Sequence, residues 1–203
     1  MEVKQLLAKI LGKLIYFLNP KEETFFFTQD AFRGKKFKIG QYTYGIPKVR
    51  FENIDANLEI GKFCSISDNV TIFLGGNHRG DWLSTYPFSV IKHSFPEAAE
   101  IAGHPSTKGS VIIGNDVWIG TNVIIMSGVK IGNGAIIGAG SVISKDIGDY
   151  EIWVGNPAKF AKKRFEDSVI KDLNKMQWWD WELEKVKENV HLLCSSDYQN
   201  IEL

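Results

Sequence analysis

The chain has 203 residues, with 44% hydrophobic and 24% charged content, ordinary for one soluble domain with appendages. Its formal net charge is zero, so the basic footprint of a nucleic-acid binder is absent. Two cysteines, Cys64 and Cys194, make no disulfide framework and point to a reducing, cytoplasmic setting.

Residues 1–18 carry Val3, Leu6, Leu7, Ile10, Leu11, Leu14 and Leu18 at helical spacing, with Lys4, Lys9 and Lys13 off that stripe. The segment is too short and too charged to span a bilayer and lacks a small-residue cleavage site. It is expected to pack on the protein or a neighbouring subunit, or to rest weakly on a membrane surface. Asn19-Pro20 ends this helix. Phe25-Phe26-Phe27 is an aromatic run suited to covering the open end of a stacked core. Ile39-Gly-Gln-Tyr-Thr43 reads as an early, isolated hexapeptide.

A repeat tract follows. Ile54, Ile60, Ile66 and Ile72 open units, with Leu58, Cys64 and Val70 four places on. Cys64 at such a position is expected to be buried and structural. A second, longer tract runs from Ile113 to Gly148. Ile113, Ile119, Ile125, Ile131, Ile137 and Ile143 open its units, and Val117, Val123, Val129, Ala135, Ser141 and Ile147 sit four places later. Period six fits neither an amphipathic helix nor a flat strand. It fits a chain that turns a corner every six residues and stacks its coils about 4.8 Å apart. A coil of this kind cannot bury its core as one isolated turn.

The spacing from Ile72 to Ile113 is not a multiple of six, so residues 75–108 must leave the coil. An insertion this long is usually functional or disordered, and Trp82, Tyr86, Phe88 and Phe95 argue for order. The Arg79-Gly-Asp81 tripeptide is read as chance. After the second tract, Gly155-Asn-Pro-Ala-Lys159 ends the coils. Residues 166–176 and 181–192 read as helices, the second capped by Asp180. Trp178 and Trp181 are expected to pack against a coil face, and the final residues to fray.

The chemistry-bearing candidates gather around the excursion and the second tract. His78 lies at the root of the excursion, where a neutral imidazole can take a proton from a hydroxyl near neutral pH. Its orienting partner is either Asp81 or backbone. Gly120, Gly138 and Ala139 are small, which serves corner geometry and also leaves a flat outer wall for a long, thin ligand. Trp118 is bulky at a corner and reads equally as subunit packing or as a wall near a reacting group. Lys145, Lys159, Lys163 and Arg164 follow the tract, either as solvated surface or as phosphate-binding groups.

These residues together carry a resemblance. The Ile-Gly hexapeptides, Gly-Asn-His78-Arg with Asp81-Trp82-Leu-Ser-Thr-Tyr-Pro-Phe88, Asp116-Val-Trp118-Ile-Gly, Met126-Ser-Gly-Val, Ile137-Gly-Ala-Gly-Ser-Val and Gly155-Asn-Pro-Ala-Lys159 resemble the hexapeptide-repeat acyltransferases. The match is to the xenobiotic acetyltransferase branch, which holds chloramphenicol and streptogramin acetyltransferases and related surface-polysaccharide enzymes. It covers residues 54–165 and the Trp178-Trp-Asp-Trp181 segment. The resemblance implies an all-β fold: a left-handed parallel β-helix with a long excursion loop and short N- and C-terminal helices. On this reading residues 1–53 form a helix, a cap and a first irregular coil, residues 54–165 the acyltransferase domain, and residues 166–203 a helical segment and tail.

The resemblance further implies a homotrimer with acetyl-CoA sites between subunits. His78 matches the general base and Trp118 a residue near the pantetheine arm. Gly120, Gly138 and Ala139 would line that arm, and Lys145, Lys159, Lys163 and Arg164 would meet the CoA phosphates. Asp81, Trp82 and Tyr44 are candidates for the acceptor. Residues 1–53 do not show the acceptor pocket of the antibiotic-modifying members, and Ile39-Gly-Gln-Tyr-Thr-Tyr44-Gly looks like relatives acting on polysaccharide sugars. A sugar or nucleotide-sugar acceptor, acylated at a hydroxyl or an amine, is therefore expected first and an antibiotic second.

Two rivals use the same coil. A zinc carbonic anhydrase needs three histidine ligands, whereas His78, His93, His104 and His191 lie outside the second tract with no spacing that pairs them on adjacent coil faces. No metal is expected. A non-enzymatic scaffold would be expected to lose the histidine and the small-residue wall, and both are present.

Overall fold

The computed structural model describes residues 27–52 and 55–196. The segment 1–26, with its apolar stripe and the membrane-surface alternative, lies outside the described residues, as do Ile54 and residues 197–203. Of the aromatic run only Phe27 is described; its ring meets Tyr42 edge-on at 5.8 Å, and a short helix, α1 (Thr28–Ala31), follows it.

Three parallel sheets form the three faces of a coil. Face one stacks β1 (Lys38–Ile39), β3 (Leu58–Ile60), β6 (Val111–Ile113) and β9 (Lys130–Ile131). Face two stacks β4 (Ser65–Ile66), β7 (Trp118–Ile119), β10 (Ile136–Ile137) and β12 (Glu151–Gly155), with β13 (Ala158–Lys163) antiparallel at its edge. Face three stacks β2 (Lys48–Arg50), β5 (Thr71–Phe73), β8 (Ile124–Ile125) and β11 (Val142–Ile143). From β3 to β11 the chain visits face one, two and three in turn, and each of these strands pairs with strands one coil away. No described helix is long and apolar enough to cross a membrane.

The register explains the period. Ile60, Ile113 and Ile131 form one column, Ile66, Ile119 and Ile137 a second, and Ile72, Ile125 and Ile143 a third. All nine are buried, as are Val117, Val123, Val129, Ala135, Ser141 and Ile147 four places after their isoleucines. Branched aliphatics suit this narrow core because they fill it on short, stiff side chains. The polar member, Ser141, is satisfied: its hydroxyl donates to the Gly138 carbonyl at 2.6 Å and accepts from the Gly155 N–H at 3.0 Å.

Each corner needs one left-handed residue. Positive φ recurs every six positions at Asp116, Asn122, Gly128, Gly134 and Gly140. Glycine, asparagine and aspartate are the residues that adopt it most cheaply. The corner between faces one and two is further tied by stacked carboxamide and carboxylate groups. Asn115 Oδ1 accepts from the Lys62 N–H, Asn133 Oδ1 from the Asn115 N–H, and Asp149 Oδ1 from the Asn133 N–H, at 2.7–2.9 Å.

The C-terminal segment packs over this corner. Helix α2 (Asp167–Met176) approaches through Asn174, which donates to Asp149 Oδ2 at 2.8 Å. Trp178 meets Phe63 at 4.8 Å, and Phe63 stacks on Tyr42 at 4.8 Å. Trp178 therefore packs on a coil corner, but Trp181 does not share that contact; Lys185 Nζ lies 4.2 Å over its ring, and Trp179 is the buried indole. Asp180 does not cap the next helix. It ends a short 3-10 turn and pairs with Lys62 at 2.8 Å, so helix α3 (Leu183–Glu188) starts after Glu182. A last short helix, α4 (Val190–Leu193), follows.

The excursion leaves after Leu74 and rejoins at β6. Its two limbs meet at the root, where Asn77 and Ser106 exchange backbone hydrogen bonds of 3.0 and 2.8 Å. Asn77 also donates from Nδ2 to the buried Ser127 hydroxyl at 2.9 Å, and the Thr107 hydroxyl donates to the Leu74 carbonyl at 2.6 Å. Further out, Tyr86, Phe88 and Phe95 pack on one another at 4.8–5.9 Å. The aromatics expected to need a packing surface supply their own.

Candidate active site

His78 stands one residue beyond the clamped root. Its Nδ1 lies 2.7 Å from the carbonyl oxygen of Thr85. A carbonyl only accepts, so Nδ1 carries the proton and Nε2 keeps its lone pair. Of the two orienting partners expected, backbone is the one in place. Asp81 instead grips Arg79: Oδ1 accepts from Nε at 2.7 Å and Oδ2 from Nη2. That grip holds the Asp81 carboxyl at about 2, below its ordinary value. The Arg79 guanidinium lies 5.1 Å over the Trp82 ring.

A histidine that spacing does not reveal completes the group. His104, on the returning limb, meets His78 at a centroid distance of 4.6 Å and an interplanar angle of 86°. Trp82 is the other ring contact of His104, at a centroid distance of 6.3 Å. Neither His104 nitrogen is accessible or has a hydrogen-bond partner. Burial, His78 and Arg79 all push its pKa down, in that order. The two histidines meet inside the excursion rather than on adjacent coil faces. Among the described residues no three His, Cys, Asp or Glu side chains cluster as a metal-ligand set.

The wall residues lie on face two. Trp118 is 52% exposed and pairs in register with Ser65 on one side and Ile136 on the other. Tyr44 bridges to Ser65, so Tyr44 and Trp118 stand in one outward column two coils apart. Gly120 and Gly138 follow the strands of this face. Neither has the positive φ of a corner. A Cβ on Gly120 would come within 2.7 Å of the Ala139 nitrogen, and one on Gly138 within 2.7 Å of Val154 Cγ1. Close coil approach, not corner geometry, requires glycine there. Ala139 lies between Gly138 and the corner residue Gly140. Lys159 and Lys163 are exposed on β13 at the edge of the same face, Lys163 paired with Asp167. Lys145 is exposed beyond β11 at the end of face three.

Arg164 is engaged within the chain. Its Nη1 donates to the Gly134 carbonyl at 2.7 Å and to Asp116 Oδ2 at 3.3 Å, and its guanidinium lies over Tyr150 and Phe165. Burial raises the Asp116 carboxyl, and Arg164 opposes that rise. Arg164 is therefore a brace of the corner between faces one and two, not an unengaged cation awaiting a phosphate.

One geometric relation governs the site. The excursion departs from the corner between faces three and one, which lies opposite face two in a three-sided coil. A single chain thus presents its candidate base and its candidate wall on opposite sides.

Period, register, corner residues and a histidine-bearing excursion define a hexapeptide-repeat protein. Comparison with known proteins agrees. Residues 110–145 match the family "Bacterial transferase hexapeptide (six repeats)". A probable macrolide acetyltransferase of Lysinibacillus sphaericus is 46% identical over 71% of this chain and 81% of its own. A chloramphenicol acetyltransferase of Klebsiella aerogenes is 45% identical over 81% of this chain and 85% of its own. A virginiamycin A acetyltransferase of Staphylococcus aureus is 37% identical over 85% and 84% respectively. The chain belongs to the xenobiotic acetyltransferase branch of the hexapeptide-repeat acyltransferases. It is an enzyme, an acetyl-CoA-dependent acetyltransferase, which sets aside the scaffold and carbonic anhydrase readings.

Proposed function

We propose that the protein transfers acetyl from acetyl-CoA to a hydroxyl of an antibiotic-type acceptor, with His78 as general base. The observation that carries this reading is the Nδ1 hydrogen bond to Thr85, which leaves Nε2 of the exposed His78 unprotonated. Nε2 takes the hydroxyl proton as the oxygen attacks the thioester carbonyl. The carbon–sulfur bond then breaks, and the imidazolium returns the proton to the departing thiolate, giving an acetyl ester and CoA. Backbone N–H donors aimed at the developing oxyanion typically contribute about 3 kcal/mol each.

The acceptor is read from the relatives, whose names specify chloramphenicol, a macrolide and virginiamycin A. The sugar-type acceptor expected from residues 39–45 gains no such support. Those residues serve the first coil: Ile39 pairs with Ile60, and the Thr43 hydroxyl donates to the Gly61 carbonyl at 2.7 Å.

The coil is read as left-handed and the assembly as a homotrimer. Base and wall lie on opposite sides of one chain, so a neighbouring copy brings its face two to the His78 of the first. The pantetheine arm then runs along Trp118, Gly120, Gly138 and Ala139, with Lys145, Lys159 and Lys163 toward the phosphates. Asp81, Trp82 and Tyr44 remain acceptor-side candidates. Two free thiols suit a cytoplasmic setting.

The test is CoA-thiol release from acetyl-CoA with chloramphenicol, a macrolide, a streptogramin A compound and a panel of nucleotide sugars. Turnover with an antibiotic and none with the sugars is expected. Turnover confined to the sugars would overturn the acceptor assignment.

A further inference from the structure

The base has one hydrogen bond. A single bond from Nδ1 to the Thr85 carbonyl sets the tautomer only while the ring stays on that carbonyl, and holds one point of the ring. On its own it does not stop the exposed ring from turning off that carbonyl, which would release the tautomer and swing Nε2. Positioning errors of about 1 Å can cost on the order of a hundredfold in rate, so a second constraint is required.

We propose that His104 is a positioning residue for acetyl transfer, its ring standing perpendicular to that of His78 and preventing that turn. The inference rests on the reading of His78 as general base. Three observations support it. The rings lie 4.6 Å apart at 86°, a T-shaped contact that blocks rotation through the space His104 occupies. Both His104 nitrogens are inaccessible and unpartnered, so its hydrogen-bonding capacity serves nothing and its ring faces do the packing. Finally, His104 is itself backed: Trp82 lies behind it, the Arg79 guanidinium covers Trp82, and Asp81 grips Arg79.

The choice of a neutral ring has a chemical consequence. A carboxylate against His78 would stabilise the imidazolium and slow return of the proton to the leaving thiolate. An uncharged ring orients the base without that bias. The nearby charged groups are Arg79, whose positive charge opposes protonation of His104, and Asp81, which is occupied by Arg79.

The root geometry explains how the pair forms. Asn77 and Ser106 are opposed in an antiparallel bridge, so residues just beyond them on the two limbs are neighbours. His78 leaves on one limb and His104 returns on the other.

The experiment compares wild type with His104→Ala, His104→Asn and His104→Phe in the full chain, with His78→Ala in parallel. Long-range nitrogen–proton spectra of labelled histidine report the His78 tautomer without any acceptor, and His78→Ala assigns the signal. Wild type and His104→Phe should show one Nδ1-protonated tautomer, and His104→Ala and His104→Asn a mixture. With acetyl-CoA and chloramphenicol, kcat should fall roughly tenfold or more in the Ala and Asn variants. KM should stay within about twofold, and the Phe variant should recover most of the rate. A pure Nδ1-protonated tautomer in both Ala and Asn variants, or a Phe variant as impaired as Ala, would overturn the proposal. Should His78→Ala stay active while the tautomer depends on His104, the base reading alone would fail.

Discussion

The His78 imidazole donates from Nδ1 to the backbone carbonyl of Thr85, seven residues along the chain, while Asp81 is turned to Arg79. The acceptor that selects the tautomer of the base is thus backbone, not a side chain. Asp81→Asn should lower kcat by no more than about tenfold, through looser support of Arg79, Trp82 and His104, because the tautomer does not depend on it. Where a carboxylate does orient a catalytic histidine, the same substitution costs about ten-thousandfold. Steady-state kinetics with acetyl-CoA and the preferred acceptor distinguishes the two outcomes.

Arg164→Ala separates a structural brace from a phosphate ligand. It removes the donor to the Gly134 carbonyl and leaves the Asp116 carboxylate, largely buried, without its cation. A loss of about 2–3 kcal/mol is expected, or roughly 5–10 °C in Tm for a chain of this size. The KM for acetyl-CoA should be unchanged. A raised KM with unchanged Tm would restore the phosphate role.

Gly120→Ala should destabilise by about 1–3 kcal/mol, since the new Cβ meets backbone atoms of the next coil that have nowhere to move. Thermal denaturation without any ligand shows this. Loss of activity in this variant therefore says nothing about acetyl-CoA until its Tm is known.

The two thiols should differ sharply. Cys64 is fully buried, donates to the Gly114 carbonyl, and burial pushes its pKa up to about 11. Cys194 is exposed. Reaction of the native protein with a thiol-specific disulfide reagent should modify one group rapidly and the second only on unfolding. Rapid reaction of both would mean that the first coil opens readily.

Lowering the pH should weaken the excursion. The pKa of His104 is depressed in the fold, so the unfolded chain binds that proton more readily. Its contribution is present above the unfolded pKa of about 6.5 and is lost as pH falls below it. The Tm of wild type should drop more steeply between pH 7 and 5 than that of His104→Phe. Parallel slopes would contradict the inaccessible, unpartnered state of the two ring nitrogens.

The coil was legible because its core repeats in sequence at the period of its corners. Ile113 to Ile143 name the columns, and Asp116, Asn122 and Gly128 mark the turns. Ile72 in β5 and Ile113 in β6, though far apart in sequence, lie on adjacent faces, so the excursion interrupts the tract without disturbing its register. The excursion itself has no period, and what matters there is long-range. His104 reaches His78 only because Asn77 and Ser106 close the root, and the Thr85 carbonyl has no side-chain signal at all. Arg164 read as part of a basic run because neither Asp116 nor the Gly134 carbonyl is near it in sequence. Asp180 looked like a helix cap for the same reason: its partner, Lys62, lies on the first coils.

The central claim is that Nε2 of His78 removes the acceptor proton. Single-turnover acetyl transfer by His78→Ala, with acetyl-CoA binding measured alongside, tests it most directly. A fall of about a hundredfold or more with acetyl-CoA affinity retained is predicted, in keeping with what a positioned base contributes. Transfer within about tenfold of wild type would contradict it.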